Sequence, residues 1–284
     1  KPKMILFENV KGFTFAFNKK TNRDAIPYSE VVINELKELG YNVKPYIIDF
    51  SKYGVPQRRK RFILVGIMGG NAENFEALLE ELKTDYLNNK GIESFVSLQD
   101  AISDLFQQNG EVPTPDRKGF NSGIYGDINS NYQRMMRIDI DSKNIPDSHS
   151  FAHHNSFTQK VFANLIACYP TKGKRITNKE REQWNIKKRG LTLLNKDDVS
   201  PTLTSHPDDY IHYAEPRILT VREYARIQSF PDWYQFKMKY TTGGDMRKKE
   251  VPRYTQIGNA IPPLFAELAG RVLIEILKDG TDAI

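Results

Sequence analysis

The first 68 residues constrain the fold more than any other part of the chain. Met4-Ile5-Leu6-Phe7 is a short apolar run that ends on the polar pair Glu8-Asn9. This is the pattern of a buried strand with functional groups at its carboxyl end. Residues 28–39 follow helical spacing, with Val32, Ile33, Leu36 and Leu39 on one side, Ser29 as N-cap and Gly40 as stop. Residues 41–50 read as a second strand and residues 51–56 as a turn punctuated by Gly54 and Pro56. Residues 59–68 read as a third strand centred on Phe62-Ile63-Leu64-Val65. Strand, helix, strand, strand, with apolar strands, predicts the far half of an open α/β sheet.

The pattern changes after Gly69. A helix is predicted over 71–87, and residues 88–200 are irregular and rich in Asn, Asp, Ser, Lys and Tyr, with one local helix over 157–167. This stretch reads as a second, smaller domain. Regular structure returns near Pro201. Thr220-Val-Arg-Glu223 fits a capping box opening a helix that Pro231 stops near Ser229. A last helix starts at Pro262-Pro263 and carries Leu264, Phe265, Leu268, Ala269, Val272, Leu273, Ile276 and Leu277. That apolar face is too wide for a surface helix and predicts packing back against the sheet.

A chain of 284 residues can bury one large core or two modest ones. The single cysteine, Cys168, excludes an intrachain disulfide and points to a reducing compartment. No apolar run reaches the length of a membrane span, and the start is not a signal peptide, so a cytoplasmic location is expected. The net charge of +6 permits a polyanionic partner without demanding one. A start at Lys1 rather than Met hints at a processed, truncated or split polypeptide.

Three short stretches carry chemistry. Glu8 stands where open α/β sheets place their ligand sites, although a lone carboxylate there is as readily a surface group. In Gln57-Arg58-Arg59-Lys60-Arg61, alternation sends Gln57, Arg59 and Arg61 one way and Arg58 and Lys60 the other. Three polar groups on one face leading into an apolar strand are costly unless they serve a site, the alternative being a solvated strand end. Gln256-Ile257-Gly258-Asn259-Ala260-Ile261-Pro262, taken alone, is a turn before a helix.

Together with Arg217-Ile-Leu-Thr-Val-Arg-Glu-Tyr-Ala-Arg-Ile-Gln-Ser-Phe-Pro-Asp232 and the upstream Pro201-Thr202-Leu203-Thr204, these stretches resemble, in content and order, the C-terminal part of a DNA cytosine-5 methyltransferase, over residues 2–279. The resemblance implies an α/β fold: the C-terminal half of a Rossmann-like S-adenosylmethionine-dependent methyltransferase sheet plus a smaller, irregular target-recognition domain. The implied division is 1–87 catalytic, 88–200 target recognition, and 201–284 a return segment whose final helix packs on the catalytic domain. It implies S-adenosyl-L-methionine as cofactor, enclosed by Asn259, Ala260 and Ile261. The substrate is a cytosine flipped out of double-stranded DNA, because its ring carbons are unreachable within the stack. By the same resemblance Glu8 contacts the base at N3 and its amino group, Arg59 contacts the ring oxygen, and Arg61 braces the pocket or the nucleophile loop. An acid at N3 stabilises charge pushed into the ring by attack at C6, and shielding from water would raise a carboxyl pKa toward that task. The Arg217–Asp232 stretch is structural in that family.

The family's Gly-rich cofactor loop and its Pro-Cys nucleophile loop are not found, and Cys168 reads as a buried small residue. The expectation is therefore one subunit or fragment of a two-part enzyme of a bacterial restriction-modification system, nucleoid-associated, with the N-terminal half as partner. The alternative is a catalytically inactive DNA-binding or regulatory module. A Rossmann oxidoreductase is weak without a Gly-x-Gly-x-x-Gly turn. Candidate DNA-contacting cations in the variable stretch are Arg117, Lys118, Arg134, Arg137, Lys172, Lys174 and Arg175, with Arg247-Lys248-Lys249 as a candidate phosphate-facing loop. The pair His153-His154 lacks further ligands for zinc.

Overall fold

The computed structural model describes residues 1–16, 25–169, 173–241 and 249–281. The predicted opening series is present: β1 (Met4–Val10), α1 (Tyr28–Glu38), β2 (Tyr41–Asp49) and β3 (Lys60–Met68). There follow α2 (Phe75–Asn89), α3 (Leu98–Ile102), β4 (Glu111–Pro113), β5 (Asn121–Gly123), α4 (Asn131–Met136), α5 (Ser156–Cys168) and β6 (Lys174–Arg175). The chain closes with α6 (Asn178–Gln183), β7 (Thr192–Leu193), β8 (Tyr210–Ile211), α7 (Val221–Ile227), α8 (Arg253–Asn259) and α9 (Pro263–Thr281). Ser29 does not cap α1. The N-cap is Pro27, whose φ of −61° leads the chain into the helix, and Ser29 is buried inside the first turn. Gly40 ends that helix with φ +93°, a left-handed value that a side chain would disfavour.

The sheet order is β1-β3-β2, and β3 runs antiparallel to both neighbours. A strand's alternate side chains share a face. Met4, Leu6 and Glu8 therefore form one row of β1, and Arg61, Ile63, Val65 and Ile67 form the matching row of β3. That face meets the larger core, joined by Tyr46 and Ile48 of β2. On the other face Phe13 packs on Phe7 and Phe62, with ring centroids 5.6 and 5.7 Å apart.

The final helix α9 packs mainly on α2 and on the turn Phe50–Tyr53, and its buried residues share the core that the sheet's inner face meets. Phe265 lies 4.4 Å from Phe50 and 5.5 Å from Tyr53, and the Tyr86 hydroxyl donates to Leu264 O at 2.9 Å. Its buried face is narrower than predicted, since Leu277 is exposed. A smaller core gathers Phe162 and Leu165 of α5, Leu193 and Ile211 of the β6-β7-β8 sheet, and Ile176 and Ile218. The two cores cut the chain elsewhere than at 88 and 200. Ile92, Leu98, Tyr132 and Met136 belong to the larger core, whereas Ile211 and Ile218 belong to the smaller. No described helix is long and apolar enough to cross a membrane.

Candidate active site

The β1–β3 ladder brings Glu8 and Arg61 together. Val10 lies opposite Arg61, so Glu8, two residues earlier, is its diagonal neighbour on the same face. Arg61 Nε stands 2.9 Å from Glu8 Oε1, with side chains 11% and 18% exposed. The pair follows Met4 and Leu6 along the core-facing row, with exposed Val10 next on β1. Burial lowers the Arg61 pKa and the Glu8 carboxylate opposes that shift. Nη1 of Arg61 donates to Lys60 O at 3.0 Å. Among the described residues Glu8 Oε2 has no hydrogen-bond partner.

The alternation predicted for Gln57 to Arg61 is present: Gln57 and Arg59 are buried and Arg58 and Lys60 exposed. Arg59, however, turns toward the C-terminal segment. Its Nη2 donates to Gly258 O at 2.7 Å and Ala260 O at 3.2 Å, while its Nε is buried without a partner among the described residues. Burial first, then the neighbouring Arg61, push its pKa down to about 10, and Glu8 acts the other way. The three predicted residues thus share one electrostatic neighbourhood, but only Arg61 touches Glu8.

The predicted loop at 256–262 is the end of α8 followed by a turn. Asn259 is exposed, and Ala260 and Ile261 are half-buried. Gly258 is required by a close backbone approach. A Cβ there would lie 3.1 Å from Thr204 O and 3.3 Å from Ser205 N. This contact explains why Pro201-Thr202-Leu203-Thr204 accompanies the glycine motif. The turn offers a backbone rim, an exposed Asn259 amide and the half-buried Ile261, a donor set fitting one wall of a site for a polar, partly aromatic cofactor.

Sequence reasoning did not single out Gln228, yet it joins these motifs. Gln57 Nε2 donates to Gln228 Oε1, and Gln57 Oε1 accepts from Leu203 N at 2.9 Å. Gln228 Nε2 donates to Ile257 O at 3.2 Å and Ala260 O at 2.6 Å.

The rest of the 217–232 segment is structural, as expected. Thr220 and Glu223 form the predicted capping box of α7. Arg217 grips both Glu223 oxygens at 2.8 and 2.7 Å. Arg226 is fully buried between Asp104 (3.1 Å) and Asp232 (2.6 Å). His212 Nδ1 accepts from the amides of Ala214 and Glu215, so its proton sits on Nε2, 3.6 Å from Glu223 Oε1. His149 Nε2 donates to Leu105 O at 2.9 Å, and its Nδ1 meets the Thr220 hydroxyl at 2.8 Å. Asp104, His149 and His212 lie outside any periodic stretch, which is why the sequence did not flag them.

Several candidate cations have other duties. Arg137 is buried, donates to Gly126 O at 2.8 Å and covers the Tyr125 ring, so it cannot reach DNA from this position. Arg117 stacks on Phe120 at 3.5 Å. Lys118, Arg134 and Arg175 are exposed. Lys172, Arg247 and Lys248, and the Lys174 side chain, lie outside the described residues. His154 Nε2 accepts from Ile218 N at 3.2 Å, and His153 stacks on Phe120 at 4.2 Å. Cys168 is exposed at the end of α5, correcting the expectation that it is buried. A basic turn went unnoticed: Arg181 donates to Lys187 O (3.0 Å) and Lys188 O (2.8 Å), presenting exposed Lys187 and Arg189. A cleft of about 800 Å³ lined by Arg175, Thr177, Asn178, Arg181 and Arg189 adjoins it.

The α/β unit thus carries a carboxylate–guanidinium pair on its β1–β3 ladder and is tied through Arg59 to the glycine-motif turn. Comparison with known proteins makes this specific: the description C-5 cytosine-specific DNA methylase matches residues 1–275, and the chain belongs to that family. Type II methyltransferase M.DdeI of Desulfomicrobium norvegicum is 30% identical over 95% of this chain and 63% of its own length. Type II methyltransferase M.Bpa9945I of Bacillus paralicheniformis is 29% identical over 98% of this chain and 61% of its own. The chain therefore spans about three-fifths of the length of these curated relatives. In fold it is similar to a prophage-encoded Escherichia coli protein assigned as a DNA modification methyltransferase, with TM-score 0.60 and 22% identity over 98% of this chain and 70% of that one. C5 DNA methyltransferases of this family use S-adenosylmethionine.

Proposed function

We propose that this chain forms the C-terminal part of a DNA (cytosine-5) methyltransferase of a restriction-modification system. It methylates C5 of a flipped cytosine in duplex DNA once assembled with the part that carries the nucleophilic cysteine. The observation that supports this best is the Glu8–Arg61 pair at 2.9 Å on the core-facing row of β1 and β3. Arg61 holds one carboxylate oxygen and leaves Oε2 for the N3 edge of the base. A thiolate adding to C6 pushes electrons into the ring, and an acid held at N3 accepts that demand. S-adenosylmethionine supplies the methyl group, and loss of the C5 proton and then the thiolate restores the ring. Arg61, rather than Arg59, meets the base oxygen in this reading, because Nη2 of Arg59 is engaged by two carbonyls. Asn259, Ala260 and Ile261 would hold the cofactor's outer wall.

The complementary part joins at β1. Among the described residues that strand has one partner, and its residues Met4–Asn9 are only half-buried although mostly apolar. An apolar edge strand of this kind invites pairing. The only cysteine, Cys168, belongs to the small domain, so the thiolate must come from other sequence. In this reading the smaller core with its basic turn at 187–189 faces the DNA backbone as the recognition unit, and the protein is nucleoid-associated. The test is methyl incorporation into duplex DNA by this chain alone and with a family N-terminal segment supplied in trans. Activity is expected only in the mixture. Robust activity of the chain alone would overturn the two-part reading, and no activity in any complemented mixture would favour a non-catalytic DNA-binding module.

A further inference from the structure

Gln228 ends α7, a helix otherwise devoted to buried structural ion pairs, yet its side chain is directed elsewhere. It is fully buried, and all of its amide's bonds run between separate motifs. Its acceptor takes the Gln57 amide, and its donors take the carbonyls of Ile257 and Ala260. Ile257 O also accepts from Ala260 N at 3.1 Å and Ala260 O from Arg59 Nη2 at 3.2 Å, so Gln228 gives each of these carbonyls a second partner. A helix's last carbonyls have no intrahelical donor, and Pro262 and Pro263 bring no N–H to the turn. The next residue that has one, Leu264, donates it to Ser229 Oγ at 3.1 Å. Ser229 itself holds a left-handed φ of +61°, uncommon for a residue with a side chain. Two consecutive residues at the end of α7 thus clasp both ends of the turn at 259–263. On the opposite side Gln57 anchors them to the entry of the strand bearing Arg59 and Arg61.

We infer that Gln228 is a positioning residue that holds the 259–261 turn in register with the Arg59–Arg61 strand entry. The inference rests on the proposed reading of that turn as the cofactor wall. Without Gln228 the turn would keep Arg59 as a tether but lose two carbonyl partners, and cofactor binding would have to order it. The variant is Gln228→Met, which keeps length and removes both donors and the acceptor.

Amide exchange of the intact chain tests the clasp itself. Exchange across 253–264 should rise about tenfold in the variant, the scale of one or two buried hydrogen bonds, while β3 and α2 stay unchanged. Unaltered exchange at 253–264, or a uniform rise everywhere, would overturn the inference. In the assembled enzyme the cofactor KM should rise about tenfold, with kcat and DNA KM within about twofold. A parallel loss in both KM values together with Tm would reduce Gln228 to a purely structural residue. S-adenosylhomocysteine should slow exchange at 253–264 in the unmodified assembled enzyme. If it does not, the cofactor reading fails, while the ligand-free exchange result still decides the clasp.

Discussion

Glu8 Oε1 and Arg61 Nε stand 2.9 Å apart across the β1–β3 ladder, and strand register alone puts them there. The pair is partly solvated, so its worth as a surface salt bridge is small. Its place on the core-facing row, with one carboxylate oxygen uncommitted among the described residues, supports the proposed role at the base. Replacing Arg61 with Ala should lower kcat of the assembled enzyme by about 10²-fold, the usual cost of removing one fixed donor from a reacting centre. Duplex affinity should change little. Single-turnover methyl transfer separates the two effects.

Gly258→Ala should destabilise the fold by about 1–3 kcal/mol, because an added methyl meets the Thr204–Ser205 backbone, which cannot move aside like a side-chain tip. Urea denaturation measures the loss. An unchanged midpoint would mean that this close approach is not maintained in solution.

Acid should weaken the fold in a defined window. Burial pushes His149 down to about 4 and His212 down to about 3, whereas unfolded histidines titrate near 6.5. Below about pH 6.5 the unfolded chain takes up protons that the folded one refuses, so stability falls with pH. Burial alone would raise Glu223, but the Arg217 fork outweighs it and holds the carboxyl at about 2. The stability this carboxylate contributes is fully present above its unfolded value near 4.5 and is lost as pH falls from there toward 2. Urea midpoints should be flat above about pH 7 and decline between about pH 6 and 4. Constancy across that range would contradict the buried neutral histidines.

The basic turn should act through counterions. Changing Lys187 and Arg189 to Gln is expected to weaken duplex binding and to flatten the slope of log K against log salt by about 1–2 units, roughly 0.9 per lost phosphate contact. Fluorescence anisotropy over a salt series reads this. An unchanged slope would remove the turn from the interface.

The residues themselves account for what was legible beforehand. The apolar run Phe62–Val65 announced β3, and period-two alternation announced that Gln57 and Arg59 face away from Arg58 and Lys60, because strand geometry converts sequence parity directly into facing. The Thr220–Glu223 capping box and the Gly40 stop were legible because each satisfies a local backbone need. Where Arg59 points was not legible. Its partners are carbonyls about 200 positions away, and a backbone carbonyl carries no side-chain signature. Asp104, paired with Arg226 at a separation of 122 residues, was hidden for the same reason. The two cores escaped detection as well. Residues 92–136 look as irregular as 150–200, and only tertiary packing assigns the first to the larger core.

The most direct test of the account is the methyl-transfer rate of the assembled enzyme carrying Glu8→Gln. Glutamine keeps shape and hydrogen bonding but cannot supply or hold a proton at N3. Single-turnover transfer is expected to fall by about 10²–10⁴-fold, with affinity for duplex DNA and S-adenosylhomocysteine within a few-fold of the unmodified enzyme. A rate equal to that of the unmodified enzyme would take Glu8 out of the chemistry and contradict the central claim.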